Sequence, residues 1–166
     1  MTTLLELARV GSTPLRYGKI RLDDLVQEAF ETLRLTTKEP LPVLTCTALP
    51  ELVTDADLLR PVLANLIGNA VKFSRGLATA RVVVEARAEG EMVVVRVGDN
   101  GIGLGGSDAG RLFEPFVRLH GAGFEGHGLG LSIVRRALER LGGRVWATDN
   151  TDAGLSVDFS IPPVRQ

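Results

Sequence analysis

The stretch Val-Gly-Asp-Asn-Gly-Ile-Gly at residues 97–103 decides how the chain is organised, because it ends a β-branched run and opens a glycine-rich window. Eleven of the 19 glycines fall within the 33 residues from Gly98 to Gly130. Asp99 is therefore expected at the end of a strand, where glycines let another molecule approach the backbone. Asp-Asn-Gly is also a common turn sequence, so the stretch alone allows either a turn or a ligand site.

Hydrophobic periodicity on both sides of this stretch predicts an α/β (α+β) two-layer sandwich, with a mixed, largely antiparallel sheet and about three helices on one face. Helices are expected up to Gly11, from Asp23 or Asp24 to before residue 40, over 57–73 with Pro61 in or near the first turn, and over 129–141. Strands are expected at 41–48, 51–53, 80–88, 91–97, 144–148 and 154–161, with a short amphipathic piece at 109–116.

Composition limits the class of protein. The 166 residues suit one domain, and 19 basic against 20 acidic residues leave a net charge of -1, which disfavours nonspecific nucleic-acid binding. A single cysteine, Cys46, excludes an internal disulfide and a Cys-rich zinc site. No apolar run approaches the ~20 residues that a membrane span needs. We therefore expect a cytoplasmic protein without direct membrane contact.

Two amides and an ammonium group share a stripe on the helix predicted at 57–73. Asn65, Asn69 and Lys72 are four and three residues apart, and therefore lie on one face. Asparagine is a poor residue for a helix interior, and the chain has 16 arginines but only three lysines, so neither choice is a default. The Asn69 carbonyl oxygen suits a hard cation such as Mg²⁺. The alternative is a solvated flank of an amphipathic helix.

The glycines beside Asp99 raise two further possibilities. Gly101, Gly103 and Gly106 satisfy G-x-G-x-x-G, but the dinucleotide-binding interpretation fails because no long helix opens at Gly106 and no acidic residue ends a following parallel strand. A carboxylate held behind glycines could instead accept a hydrogen bond from the exocyclic amine of adenine. It would repel the carbonyl group of guanine at the same place.

A second glycine cluster precedes the last predicted helix. The sequence Gly-His-Gly-Leu-Gly-Leu at residues 126–131 places glycines at a helix N-terminus, where free N–H groups and the positive end of the helix dipole bind anions such as phosphate. The glycine-rich residues 121–126 before it suggest a lid that orders over a ligand. The alternative is a flexible linker followed by a capped helix.

Four motifs occur together: N-x-x-x-N-A-x-K-F at 65–73, D-x-G-x-G at 99–103, L-F-E-P-F at 112–116 and G-x-G-L-G-L at 126–131. In this order they resemble the catalytic ATP-binding domain of sensor histidine kinases, a group related to gyrase, the Hsp90 chaperones and MutL. The resemblance implies ATP and Mg²⁺ as ligands, with Asn69 on the metal and with Asn69, Lys72 and Arg118 as catalytic residues. It implies that the nucleotide-binding residues are Asn65, Asn69, Lys72, Phe73, Asp99, Gly101, Gly103, Leu104, Phe113, Gly126, His127, Gly128, Leu129, Gly130 and Leu131, with Gly154 as a last, weaker glycine box.

The resemblance also implies a reaction and its partners. Such a domain transfers the γ-phosphoryl group of ATP to a histidine on a separate dimerisation domain, with a response regulator downstream. The acceptor motif is absent here, since His120 and His127 are the only histidines and they flank residues 121–126 in the predicted lid loop. Residues 1–18 resemble the end of a dimerising helix and its linker, and 19–166 the catalytic domain, so a monomeric fragment is expected.

Two alternatives to the histidine kinase stay open. One is a serine kinase of the same fold, as in anti-sigma factors, and the other is an interaction module that binds nucleotide without transferring phosphate. The phrases F-V-R-L-H-G at 116–121 and G-G-R-V-W-A at 142–147 further resemble the phytochrome and light-sensor subgroup.

Overall fold

The computed structural model describes residues 4–105, 108–114 and 130–162. Its helices are α1 (Leu4–Ser12), α2 (Leu22–Thr36), α3 (Ala56–Phe73) and α4 (Gly130–Arg140), with a 3-10 helix at Ala109–Phe113. Its strands are β1 (Gly18–Arg21), β2 (Val43–Cys46), β3 (Glu51–Thr54), β4 (Arg81–Glu89), β5 (Met92–Asp99), β6 (Arg144–Asp149) and β7 (Leu155–Ile161).

Five strands form the main sheet in the order β2-β4-β5-β7-β6. Only β2 is parallel to its neighbour, and the other pairs are antiparallel. A two-residue turn joins β4 to β5, and its Gly90 adopts the positive φ of +61° that such a turn requires. The mixed, largely antiparallel sheet predicted from the sequence is confirmed.

The core lies between one face of this sheet and the helices. Alternate residues of the central strands, such as Val95 and Phe159, are fully buried, as are Leu59, Leu63 and Ile67 on α3. α3 lies against β4 and β5, and α4 lies against β6 and β7. α2 packs on α3, and α1 packs on α4. The helices thus form one layer and the main sheet the other, as expected for a two-layer sandwich.

The start of α3 is fixed by Asp55, which is 3% exposed. Its Oδ1 accepts hydrogen bonds from the N–H groups of Asp57 and Leu58, and its Oδ2 accepts one from the N–H of Arg16 at 2.7 Å. This carboxylate therefore caps α3 and holds the linker after α1 at the same time. Pro61 is the sixth helical residue, in the second turn, and it cannot donate to the Asp57 carbonyl.

Several boundaries differ from the sequence predictions. α1 runs through Gly11 to Ser12, so the predicted stop before Gly11 is wrong. Arg21 occupies the N-cap of α2 without a side-chain bond, and Asp23 and Asp24 lie in the first turn, where they favour the helix dipole without capping it.

The predicted strands at 41–48 and 51–53 belong to different sheets. β2 joins the main sheet beside β4, whereas β3 pairs with β1 in a separate two-stranded antiparallel sheet. β1 was not predicted, because Gly-Lys-Ile-Arg holds a single apolar residue, Ile20, and shows no alternation. Within the described ranges, no helix is long and apolar enough to cross a membrane.

Candidate functional site

The polar stripe predicted on α3 is present in the helix. Asn65, Asn69 and Lys72 are all half-buried, on the last three turns. The Asn65 Nδ2 donates to the Pro61 carbonyl at 2.7 Å. Its Oδ1 lies against the start of α4, so that a Cβ added to Gly130 would stand 2.6 Å from it. Asn65 thus lies beside the first residue of α4, where a side chain would fit only if Asn65 moved.

The C-terminal end of α3 meets the loop that follows β5, residues 99–104, which we call the β5 loop. The Phe73 carbonyl accepts a hydrogen bond from the N–H of Ile102 at 3.1 Å. A Cβ on Gly101 would lie 2.0 Å from the same carbonyl oxygen, a distance that no side chain tolerates. The Lys72 Nζ stands 5.1 Å from the centre of the Phe73 ring. The loop and the polar stripe therefore meet at this end of the helix.

Asp99 ends β5 and is only 8% exposed. Its Oδ1 accepts the N–H of Gly101 at 2.8 Å and the N–H of Leu155 at 3.4 Å. Within the described residues both bonds fall on Oδ1, which leaves Oδ2 to accept a hydrogen bond from a ligand. Burial raises the pKa of Asp99 above its ordinary value, and the two N–H donors partly oppose that rise.

Two residues outside the predicted site, Asp149 and Asn100, hold the two ends of the β5 loop. The N–H of Leu104 donates to the Asp149 Oδ1 at 2.7 Å, and Gly103 beside it has a φ of +66°. Asn100 is bound on both ends of its amide, accepting from the N–H of Arg81 and donating to the Thr79 carbonyl, each at 2.8 Å. Asp149 lay in a segment that the sequence marked only as a turn.

Gly154 was matched to the last glycine box of the family, and its position explains why glycine is needed. Its φ is +89°, and a Cβ there would lie 2.0 Å from the Asp99 carbonyl oxygen. The turn between β6 and β7 can approach the β5 loop this closely only without a side chain at 154.

The structure brings together most of the predicted residues that it describes. Asn65 and Gly130 meet at one side, and Phe73, Gly101 and Asp99 at the other, with Asn69 and Lys72 between them on α3. Gly103 and Leu104 complete the β5 loop. Phe113 is 5% exposed within the hydrophobic core, and Leu131, which follows Gly130, packs half-buried against that core; their contacts with a nucleotide stay predictions.

Some predictions fall outside the described residues. These are the proposed γ-phosphate contact, Arg118, the lid at 121–126 and the nucleotide contacts Gly126, His127, Gly128 and Leu129. They stay predictions.

The donor set fits a magnesium ion better than a transition metal. Among the described residues there is no group of three His, Cys, Asp or Glu side chains that could hold a metal. Asn69 offers an amide oxygen, so a cation here would rely on phosphate oxygens and water for its other ligands. That is the coordination Mg²⁺ prefers when it binds with a nucleotide.

Comparison with known proteins assigns the chain to one family. The profile described as "Histidine kinase-, DNA gyrase B-, and HSP90-like ATPase" matches residues 54–165. The chain belongs to that family, and within it the chain is an ATP-binding catalytic domain of the sensor histidine kinase type.

Two curated relatives illustrate the type. The adaptive-response sensory kinase SasA of Synechococcus sp. (strain JA-2-3B'a(2-13)) is 33% identical over an alignment of 175 positions, which covers 99% of this chain and 45% of SasA. The sensor protein PfeS of Pseudomonas aeruginosa is 38% identical over 106 residues, which cover 64% of this chain and 23% of PfeS. This chain therefore spans less than half the length of either relative.

Solved structures agree with this placement. Full-length ShkA in complex with AMPPNP matches with a TM-score of 0.79 at 29% identity, over 98% of this chain and 35% of ShkA. The mycobacterial sensor histidine kinase MprB matches with a TM-score of 0.75 over 90% of this chain and all of that one. At 21% identity, the MprB match is a likeness of fold alone.

Proposed function

We propose that this chain binds Mg-ATP where the polar stripe of α3 meets the β5 loop and transfers the γ-phosphoryl group to a histidine on a separate dimerisation domain. The observation that carries the proposal is Asp99. It is a nearly buried carboxylate whose Oδ1 is held by two N–H groups, at the point where the loop meets the polar stripe of α3.

Asp99 is proposed to select adenine. Its Oδ2 accepts a hydrogen bond from the exocyclic amine of the base, and the scarcity of water around it makes this charge-assisted bond strong. A guanine would present a carbonyl oxygen at the same place, and two acceptors would then face each other. The base is therefore recognised by a rigid acceptor that is in place before the nucleotide binds.

The stripe on α3 and the start of α4 are proposed to bind the phosphates. Lys72 neutralises phosphate oxygens, and the first N–H groups of α4, which begins at Gly130 beside Asn65, add the positive end of a helix dipole. Asn69 would hold Mg²⁺, which when bound neutralises charge on the phosphate oxygens. Arg118 is proposed to contact the γ-phosphate. Positioning and charge stabilisation are then the main catalytic effects.

The transfer itself forms a bond from an imidazole nitrogen to the γ-phosphorus and breaks the bond from that phosphorus to the oxygen of ADP. The imidazole is supplied by the dimerisation domain. α3 carries no carboxylate after Asp57, and Asn65 is an amide that cannot take a proton from water at neutral pH. Without a carboxylate base on this part of α3, attack of water on the γ-phosphate is slow, and less ATP is hydrolysed without transfer. A downstream response regulator, a cytoplasmic setting and a monomeric state for this chain complete the proposal.

The test is transfer in trans. The chain is incubated with γ-labelled ATP, Mg²⁺ and a helical dimerisation domain that carries the acceptor histidine, and the labelled residue is then identified. Label on histidine, lost in Lys72→Ala and kept in the exposed control Lys38→Ala, supports the proposal. Label on serine would favour a serine kinase, and nucleotide binding without any label would favour an interaction module; either result contradicts the proposal.

A further inference from the structure

The β6–β7 turn, defined here as residues 149–155 with the last residue of β6 and the first residue of β7 included, contacts both ends of the β5 loop. At the start of the loop, Asn150 Nδ2 donates to the Asp99 carbonyl at 2.9 Å. At its end, Asp149 Oδ1 accepts the N–H of Leu104 at 2.7 Å. Two adjacent side chains of one turn thus fix the two ends of a loop that lies about 50 residues earlier in the sequence.

Asn150 is itself held in place. Its Oδ1 accepts the hydroxyl of Ser156 at 2.7 Å, and its backbone N–H donates to the Gly154 carbonyl at 2.9 Å. Ser156 is 5% exposed. Because a carbonyl oxygen can only accept, the amide group of Asn150 must point its nitrogen at Asp99. The amide is therefore oriented by bonds on both of its ends.

The contacts reach the recognition carboxylate by two routes. Asn150 fixes the main chain of Asp99, and the N–H of Leu155, at the end of the same turn, donates to the Asp99 Oδ1 at 3.4 Å. Gly154 lets the turn approach, as its absent Cβ would otherwise stand 2.0 Å from the Asp99 carbonyl oxygen. The direction of Oδ2 is set by this turn as much as by β5.

We infer that Asn150 and Asp149 are positioning residues that determine the adenine specificity of the site. The inference rests on the proposed function, since it assigns a role in recognising the base that Asp99 is proposed to bind. The two side chains do not touch the nucleotide. They hold the Asp99 carboxylate at hydrogen-bonding distance from the exocyclic amine by fixing both ends of the loop that Asp99 begins, and a shift of a few tenths of an ångström weakens that bond.

This role predicts a selective loss, which general destabilisation would not produce. ADP carries the amine at C6, whereas inosine diphosphate carries a carbonyl there and otherwise offers the same sugar and phosphates. Displacement of Asp99 is expected to weaken the binding of ADP and not that of inosine diphosphate, because the proposed phosphate contacts on α3 and α4 do not involve the turn. The ratio of the two dissociation constants therefore reports base recognition separately from folding.

The experiment measures this ratio by calorimetry for the wild type and five variants. Asn150→Ala and Asp149→Ala are expected to lower the affinity for ADP about tenfold, which corresponds to the loss of one hydrogen bond. The affinity for inosine diphosphate should stay within about twofold of the wild-type value. Asp149→Asn keeps an acceptor for the Leu104 N–H and should restore the wild-type ratio. Asp152→Ala changes an exposed residue of the same turn and should have no effect.

Ser156→Ala replaces Asn150→Ala if that variant folds poorly, since it leaves Asn150 in place and removes only the hydroxyl that orients it. The ratio of dissociation constants is expected to change in the same direction but by less. Suppose that the wild type prefers ADP, but the variants keep its ratio of dissociation constants or bind both nucleotides equally more weakly. This result overturns only the positioning role of Asn150 and Asp149. A wild-type chain that binds the two nucleotides equally instead overturns the adenine assignment of the proposed function.

Discussion

Replacing Asp99 by Asn separates recognition of the base from the stability of the site. The Asn Oδ1 can still accept the N–H groups of Gly101 and Leu155, which bind Oδ1 in the wild type at 2.8 and 3.4 Å. The Nδ2 then occupies the position of Oδ2, and a donor faces the amine of adenine. The variant is therefore expected to keep the loop and lose one charge-assisted hydrogen bond.

The size of the effect follows from that single bond. A hydrogen bond to a charged group contributes about 1.5–3 kcal/mol, which corresponds to a loss of ADP affinity of about 10- to 150-fold. Because Asp99 is 8% exposed, water replaces the lost bond poorly, and the upper part of this range is expected. Isothermal titration calorimetry with ADP measures it, with Asp152→Asn as a control for exchanging an exposed carboxylate for an amide.

Stability and pH dependence sharpen the same prediction. Burial raises the pKa of Asp99, so its ionised form costs stability at neutral pH, and the cost is relieved as the pH falls through the raised pKa. Asp99→Asn, which is always neutral, should then unfold at the same or a higher temperature than the wild type at pH 7. ADP affinity of the wild type should fall on acidification earlier than an ordinary aspartate would allow. An unchanged ADP affinity in the Asp99→Asn variant would show that Asp99 does not bind the base.

Three further outcomes are expected. Gly101→Ala should destabilise the chain by about 1–3 kcal/mol in chemical denaturation, because its Cβ would lie 2.0 Å from the Phe73 carbonyl oxygen; a neutral change would show that the loop does not pack on α3 as described. Phosphate release from ATP by the purified chain should be far slower than the ~10 s⁻¹ typical of enzymes. A rate near that value that is lost in Asn69→Ala would indicate an ATPase. If the rate is negligible, an increase in Asn65→Glu would support the position of Asn65 on the α3 stripe, because the new carboxylate could act as a base. Asp55→Ala should cost about 1–2 kcal/mol of unfolding free energy through the lost cap, and a loss below about 0.5 kcal/mol would contradict the capping role.

Local patterns were enough to predict the main elements of the fold. The α3 stripe follows from spacing alone, since residues four and three apart must share a helix face, and the structure places Asn65, Asn69 and Lys72 accordingly. The β4–β5 hairpin follows from two β-branched runs around a glycine. Both depend on contacts between residues that are close in sequence.

The parts that were missed depend on distant pairing. β1 pairs with β3, whose residues lie 30 to 36 positions further along the chain, and its own four residues carry no alternation. The parallel pairing of β2 with β4 likewise could not be derived from two adjacent strands. Asp149 and Asn150 looked like ordinary turn residues, because their importance comes from a loop about 50 residues earlier. Sequence patterns identify the elements, whereas tertiary packing decides which turn supports which loop.

The most direct test of the account is a crystal structure of this chain with Mg²⁺ and a non-hydrolysable ATP analogue. We predict that the base lies against the β5 loop, with its exocyclic amine about 3 Å from the Asp99 Oδ2, and that the phosphates lie along Asn69 and Lys72 towards the start of α4. A base bound elsewhere, for example beside Glu6 and Val10 in the cavity of about 500 Å³ that lies between α1 and α3 and extends to Asn65, would contradict this proposal.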